Sequence, residues 1–130
     1  MNTDNNGVGA LYGTFTIAQK DGKLELDSYD VGSAVVLTGN NEIGRAAGTL
    51  LGKLENVSKM ESLSVVQVKG VMRLTYNPDL CVPRIGDPVV VSEDGRIVRW
   101  RIGDMTPTGI SGRGVTIAVD KNNCTCDVLL

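Results

Sequence analysis

The sequence predicts an all-β domain: a compact antiparallel β-sandwich or small β-barrel of about nine short strands, with little or no helix. Three observations carry this. Valine, isoleucine and threonine number 17, 7 and 10 of 130 residues; branching at Cβ suits a pleated sheet and crowds the helical turn. Glycine stands at 16, well above the roughly 7% of average proteins, and surplus glycine marks turns and bulges. Apolar and polar residues alternate with period two over short stretches separated by turn residues.

Residues 1–10 are polar and glycine-containing and are expected to form a flexible N-terminal arm, leaving residues 11–130 as a single β domain. Residues 11–18 alternate Leu11, Gly13, Phe15 and Ile17 against Tyr12, Thr14, Thr16 and Ala18. Lys20-Asp21-Gly22-Lys23 follows, an Asp-Gly signal for a type I′ turn, so residues 11–27 are expected to form one hairpin. Residues 34–38 make an apolar strand ended by a turn at 39–42, and residues 44–48 are the best place for an irregular or helical segment. Strands follow over 50–57 and 63–68. Gly70 marks a bulge or sharp bend before a strand over 71–76. Prolines at 78 and 83 make 77–83 a loop. Residues 89–91, the turn Glu93-Asp94-Gly95-Arg96 and residues 97–102 form a second hairpin, with Val98, Trp100 and Ile102 on one face and Arg99 and Arg101 on the other. After a glycine-, proline- and threonine-bearing loop over 103–113, residues 115–119 and 124–130 close the chain. In the last strand Cys124, Cys126, Val128 and Leu130 share a face.

Histidine is absent, which excludes Ser-His-Asp and Cys-His catalysis and His-ligated zinc. The aspartates fall singly on turns, where they bond their own backbone, and offer no facing pair of carboxylates. No phosphate-binding glycine motif has the right spacing. The expectation is that the protein is not an enzyme and carries no cofactor and no metal. An odd count of three cysteines argues against a disulfide framework. A net charge of −2 and 4% aromatics argue against a nucleic-acid partner. With no apolar run of membrane-spanning length and no signal-like N-terminus, neither a membrane nor secretion is expected. The most concentrated positive charge is Arg96, Arg99 and Arg101, with Arg73 and Arg84 nearby in sequence; Arg99 and Arg101 project from one strand face and are candidates to dock an acidic partner protein, with Trp100 opposite as a core anchor.

Taken in order, several stretches resemble the small head-decoration, or capsid cement, proteins of tailed bacteriophages. They are Leu37-Thr38-Gly39-Asn40-Asn41-Glu42-Ile43-Gly44, Leu50-Leu51-Gly52-Lys53-Leu54-Glu55-Asn56-Val57, Val66-Gln67-Val68-Lys69-Gly70-Val71-Met72-Arg73-Leu74, Pro83-Arg84-Ile85-Gly86-Asp87-Pro88-Val89-Val90-Val91, Gly95-Arg96-Ile97-Val98, Gly112-Arg113-Gly114-Val115 and the closing Val128-Leu129-Leu130. The resemblance covers residues 31–130. It implies a structural viral protein, made in the host cytoplasm, that binds the outer capsid surface of the virion and clamps neighbouring major capsid subunits. It implies no catalytic residues. Under this reading the capsid contacts are Asn2, Thr3, Asp4, Asn5 and Asn6 of the arm with Arg99 and Arg101, and copies form a homo-oligomer, a dimer or a trimer. The alternative is a small β-domain binding module, such as a head spike or adhesin domain recognising a host surface or carbohydrate.

Overall fold

In the computed structural model, residues 9–100 and 111–130 are described, and they are all β apart from one 3₁₀ turn, Ser28–Asp30. The strands are β1 Leu11–Ile17, β2 Gln19–Lys20, β3 Lys23–Leu24, β4 Ala34–Gly39, β5 Glu42–Gly44, β6 Gly52–Ser58, β7 Leu63–Lys69, β8 Val71–Thr75, β9 Val89–Val91, β10 Ile97–Arg99, β11 Val115–Asp120 and β12 Thr125–Leu129. The all-β expectation holds, but the described residues form twelve strands where the pattern suggested about nine.

Two places account for most of the difference. The stretch 11–27 is not one hairpin. Asp21 (φ 55) and Gly22 (φ 79) do make the I′-type turn, but they join only the two-residue strands β2 and β3. The chain breaks at Ala18, whose N–H donates to Ile43 and whose carbonyl accepts from Glu25. Ile17 and Ala18 are both buried, so the alternation stops there and β1 leaves the hairpin. Residues 42–44, placed by sequence at a turn and the edge of an irregular segment, form β5. Ile43 is fully buried there, and β5 runs parallel to β1 through Thr16↔Glu42 and Ile17↔Ile43.

Five strands close into a barrel in the order β1-β5-β4-β6-β7, with β7 returning to β1. Its interior holds Ile17, Leu26, Val35, Ile43, Leu54 and Val66. A second cluster lies between β4, the β9–β10 hairpin and the three-stranded sheet β11-β12-β8, and contains Ala34, Val36, Leu50, Met72, Leu74, Tyr76, Val89, Val91, Ile97, Cys126 and Val128. Strand β4 serves both: period-two alternation sends Val35 into the barrel and Ala34 and Val36 into the second cluster.

Gly70 is the bend that the sequence marks. At φ 105 it adopts a conformation that side chains rarely take, and it turns the chain from β7 of the barrel into β8 of the other sheet. The C-terminal residue fastens this corner, because Gly70 and Leu130 exchange backbone hydrogen bonds of 3.2 and 2.9 Å.

Candidate functional site

The best-defined surface feature is the loop 77–88 with the strand it lies along. Prolines 78, 83 and 88 keep this segment out of a regular ladder, yet its backbone is held at both ends. Tyr76 bridges Ile97 in parallel, Asn77 N–H donates to Ile97 at 3.1 Å, and Arg99 N–H donates to the Cys81 carbonyl at 2.7 Å. The loop therefore runs beside β10 as an irregular extra strand.

Two tight turns shape it. The Asn77 side chain accepts from Asp79 N–H at 2.9 Å, and Leu80 N–H donates to the Asn77 carbonyl at 3.3 Å. Further on, Asp87 N–H donates to the Arg84 carbonyl at 2.9 Å, with Gly86 at φ 91 supplying the left-handed residue of the turn. The Asp87 carboxylate reaches back to Arg84 N–H at 3.1 Å. The tip is clamped from below by Thr116, which is wholly buried. Gly86 N–H donates to the Thr116 carbonyl, and Thr116 donates both N–H and Oγ1 to the Asp87 carbonyl, at 2.8, 3.0 and 2.9 Å.

These turns present three side chains to solvent. Ile85 is 67% exposed, Leu80 57%, and the Arg84 side chain 73%. The hydrogen bonds beneath them fix the backbone from which they project. A partner docking on Leu80 and Ile85 meets backbone that is already ordered, so the entropic cost of fixing a loop on binding is largely avoided. The sequence reading gives Leu80 and Ile85 no contact role, although two aliphatic side chains in a proline-bounded turn segment are a usable signal.

Arg99 lies beneath this loop. The alternation was expected to send Arg99 outward with Arg101 and Trp100 inward, and the structure reverses the phase. Ile97 is fully buried and Arg99 follows it inward with a side chain only 14% exposed. Its Nε is buried without a hydrogen bond and lies 3.9 Å from Asp87 Oδ2. Arg84 Nε approaches the same oxygen at 3.5 Å. Asp87 thus stands between two guanidinium groups, one buried and one exposed. β10 ends at Arg99, and a long arginine side chain can be largely covered while its charged head stays near a carboxylate, here Asp87. Trp100 is half-buried, its N–H donates to Pro88 at 3.0 Å, and its ring lies against Gly112, where an added Cβ would sit 2.7 Å away. Arg101 and Asn2, Thr3, Asp4, Asn5 and Asn6 fall outside the described residues.

The cysteines do not converge on a metal site: among the described residues no group of three His, Cys, Asp or Glu side chains could hold an ion. Cys126 is in the second core cluster, where burial, helped by the adjacent Asp127, pushes its thiol up to about 12. Cys124 closes the β11–β12 turn at φ 53. Among the described residues no helix is long and apolar enough to cross a membrane.

No family model and no curated protein matches the chain.

Proposed function

We propose that this chain is a decoration protein that binds the outside of a tailed-bacteriophage capsid and stabilises it by bridging neighbouring major capsid subunits. The observation that carries the proposal is the clamped loop 77–88, which holds Leu80, Ile85 and Arg84 exposed above a partly buried Asp87–Arg99 pair. The ordered, glycine-punctuated resemblance described above supplies the class of partner. The all-β body supports the role, because a protein that must lie on a shell needs a body that does not reorganise when it docks. Arg84 is the exposed cation of this surface, and Arg99 acts through Asp87 to hold the loop. The arm, residues 1–10, provides the second contact.

The test mixes the purified chain with capsids of its own virus stripped of decoration, and measures occupancy by co-sedimentation. Saturable binding at a fixed ratio to the major capsid subunit is expected. Leu80→Asp combined with Ile85→Asp removes burial worth about 1 kcal/mol at each half-exposed side chain, so affinity should fall roughly 30-fold. Deleting residues 2–10 should weaken occupancy while the fold is kept. Full occupancy by both variants would overturn the proposal.

A further inference from the structure

Strand β1 is paired along only part of its length. On one side it lies against β7 from Leu11 to Thr16. On the other side its partner β5 reaches only Thr16 and Ile17. The direction of the backbone groups follows from two bonds: Ile17 N–H donates to Ser62 at 3.0 Å, on the β7 side, and Thr16 N–H donates to Asn41 at 2.9 Å, on the β5 side. Alternation then points the N–H and C=O groups of Tyr12 and Thr14 to the β5 side, where no described residue pairs with them. Tyr12 is 52% exposed and Leu11 58% exposed beside this edge.

Open strand edges are normally guarded by charge, proline or a covering loop. Two other edges among the described residues follow that practice. The β2–β3 hairpin carries Lys20, Asp21, Lys23 and Glu25, and β11 is covered at Thr116 by the 86–87 turn and ends in Asp120 and Lys121. Residues 9–19 contain no charged residue and no proline.

We infer that the β1 edge is where two copies of this chain associate, pairing β1 against β1 antiparallel across a two-fold axis. The register is fixed by which groups are free. Asn41 already bonds the Thr16 N–H, so within β1 the edge groups left to give are those of Tyr12 and Thr14. In an isologous contact each residue of one copy must meet its counterpart in the other. Placing Gly13 opposite the partner's Gly13 sets Tyr12 opposite the partner's Thr14, and each such pair exchanges two backbone hydrogen bonds. The same register sets Leu11 against the partner's Phe15. A strand without charge meets no like-charge repulsion when paired with itself, which is why the occupant is a second copy rather than a charged segment. This names the surface behind the self-association expected of a decoration protein, but it stands on the strand edge alone. Its test uses the free protein, so its failure leaves capsid binding to be decided by the co-sedimentation experiment.

The full chain is examined by sedimentation equilibrium from about 1 µM to about 1 mM, where a reversible species of twice the 13.8 kDa chain mass is expected. Tyr12→Lys with Thr14→Lys places like charges directly opposite across the seam and should weaken association at least 100-fold. Tyr12→Lys with Thr14→Glu places opposite charges there and should restore it to within about tenfold of the parent. Hydrogen exchange on the unaltered chain gives a readout that needs no variant: the Tyr12 and Thr14 amides should be protected at high concentration and exchange freely on dilution. A chain that is monomeric throughout, a trimer, double variants that behave alike, or amides insensitive to concentration would each overturn the inference.

Discussion

Gly52 shows how a single missing side chain lets the barrel close. A Cβ at this position would lie 1.9 Å from the Gln67 carbonyl oxygen and 3.0 Å from Val66 Cγ1. The near atom is backbone of β7 and cannot swing aside, so β6 and β7 approach only because residue 52 is glycine. Gly52→Ala should therefore cost about 3 kcal/mol, at the upper end of overpacking effects. Urea unfolding would read it as a lower midpoint, and an unchanged midpoint would mean that the strands separate without penalty. Cys126 makes the opposite point. Its thiol acts as a small apolar group in the second cluster, and burial holds it in the unreactive protonated form, with a pKa pushed up to about 12. In a thiol titration at pH 8 Cys126 should stay unmodified until denaturant is added. Cys126→Ser should lose about 2 kcal/mol, since a hydroxyl there exchanges water for an apolar surrounding.

At the scale of elements, the β9–β10 hairpin rests on one carboxylate. Gly95 (φ 82) lies after a tight turn in which its N–H donates to Ser92 at 3.1 Å, while Ser92 N–H donates to Arg96 at 2.8 Å. Asp94 accepts from Arg96 Nε at 2.7 Å, from Ser92 Oγ at 2.5 Å and from Arg96 N–H at 3.1 Å. The bond from the Arg96 side chain, followed by that from Ser92, lowers the Asp94 carboxyl from 3.8 to about 2. A carboxylate whose folded pKa lies below its unfolded value stabilises fully above about pH 4, and that contribution fades as pH falls towards 2. Asp94→Asn should reduce stability at pH 6 by a small amount, because the site is partly exposed, and the gap from the parent should shrink between pH 4 and 2. A gap that stays constant with pH would remove the carboxylate from the explanation.

The same element shows where the sequence could be read and where it could not. The two Asp-Gly turns, the bend at Gly70 and the inward face of Cys126 and Val128 were legible, because each depends on a local conformational preference or on alternation within a well-paired strand. The phase of residues 97–101 was not. A sequence pattern assigns an arginine outward by polarity, whereas Arg99 turns in beside Asp87 of the loop, twelve residues earlier. β5 was hidden for a related reason: its three residues include two glycine or glutamate positions and gain strand character only from pairing with β1 and β4. Leu80 and Ile85 were missed because their exposure follows from hydrogen bonds to Asn77, Asp87 and Thr116, and not from their own preferences.

Across the whole molecule, the two apolar clusters share β4, and this sets how the protein should unfold. Val35 and Val36 are adjacent and both buried, at 1% and 3% exposure, yet one belongs to the barrel and the other to the second cluster, which includes Val89, Val91 and Ile97 of the β9–β10 hairpin. Strand β4 bonds to β5 and β6 of the barrel, and Ala34 N–H donates to Gly95 of the β9–β10 turn at 3.0 Å, so the strand is tied to both sides. The corner at Gly70, tied to Leu130, makes a second covalent and hydrogen-bonded link between the two halves. Unfolding should consequently be a single cooperative transition, as expected for a domain of this size with no separable half. Val35→Ala and Val36→Ala should each lower stability by about 2 kcal/mol through lost burial and the cavity left behind. Each should shift the whole transition, whether followed by fluorescence of Trp100, which follows β10, or by exchange of the Leu54 and Val66 amides in the barrel. If Val35→Ala moved the barrel amides alone and left the Trp100 transition in place, β4 would not couple the two clusters, and the barrel would be a folding unit of its own.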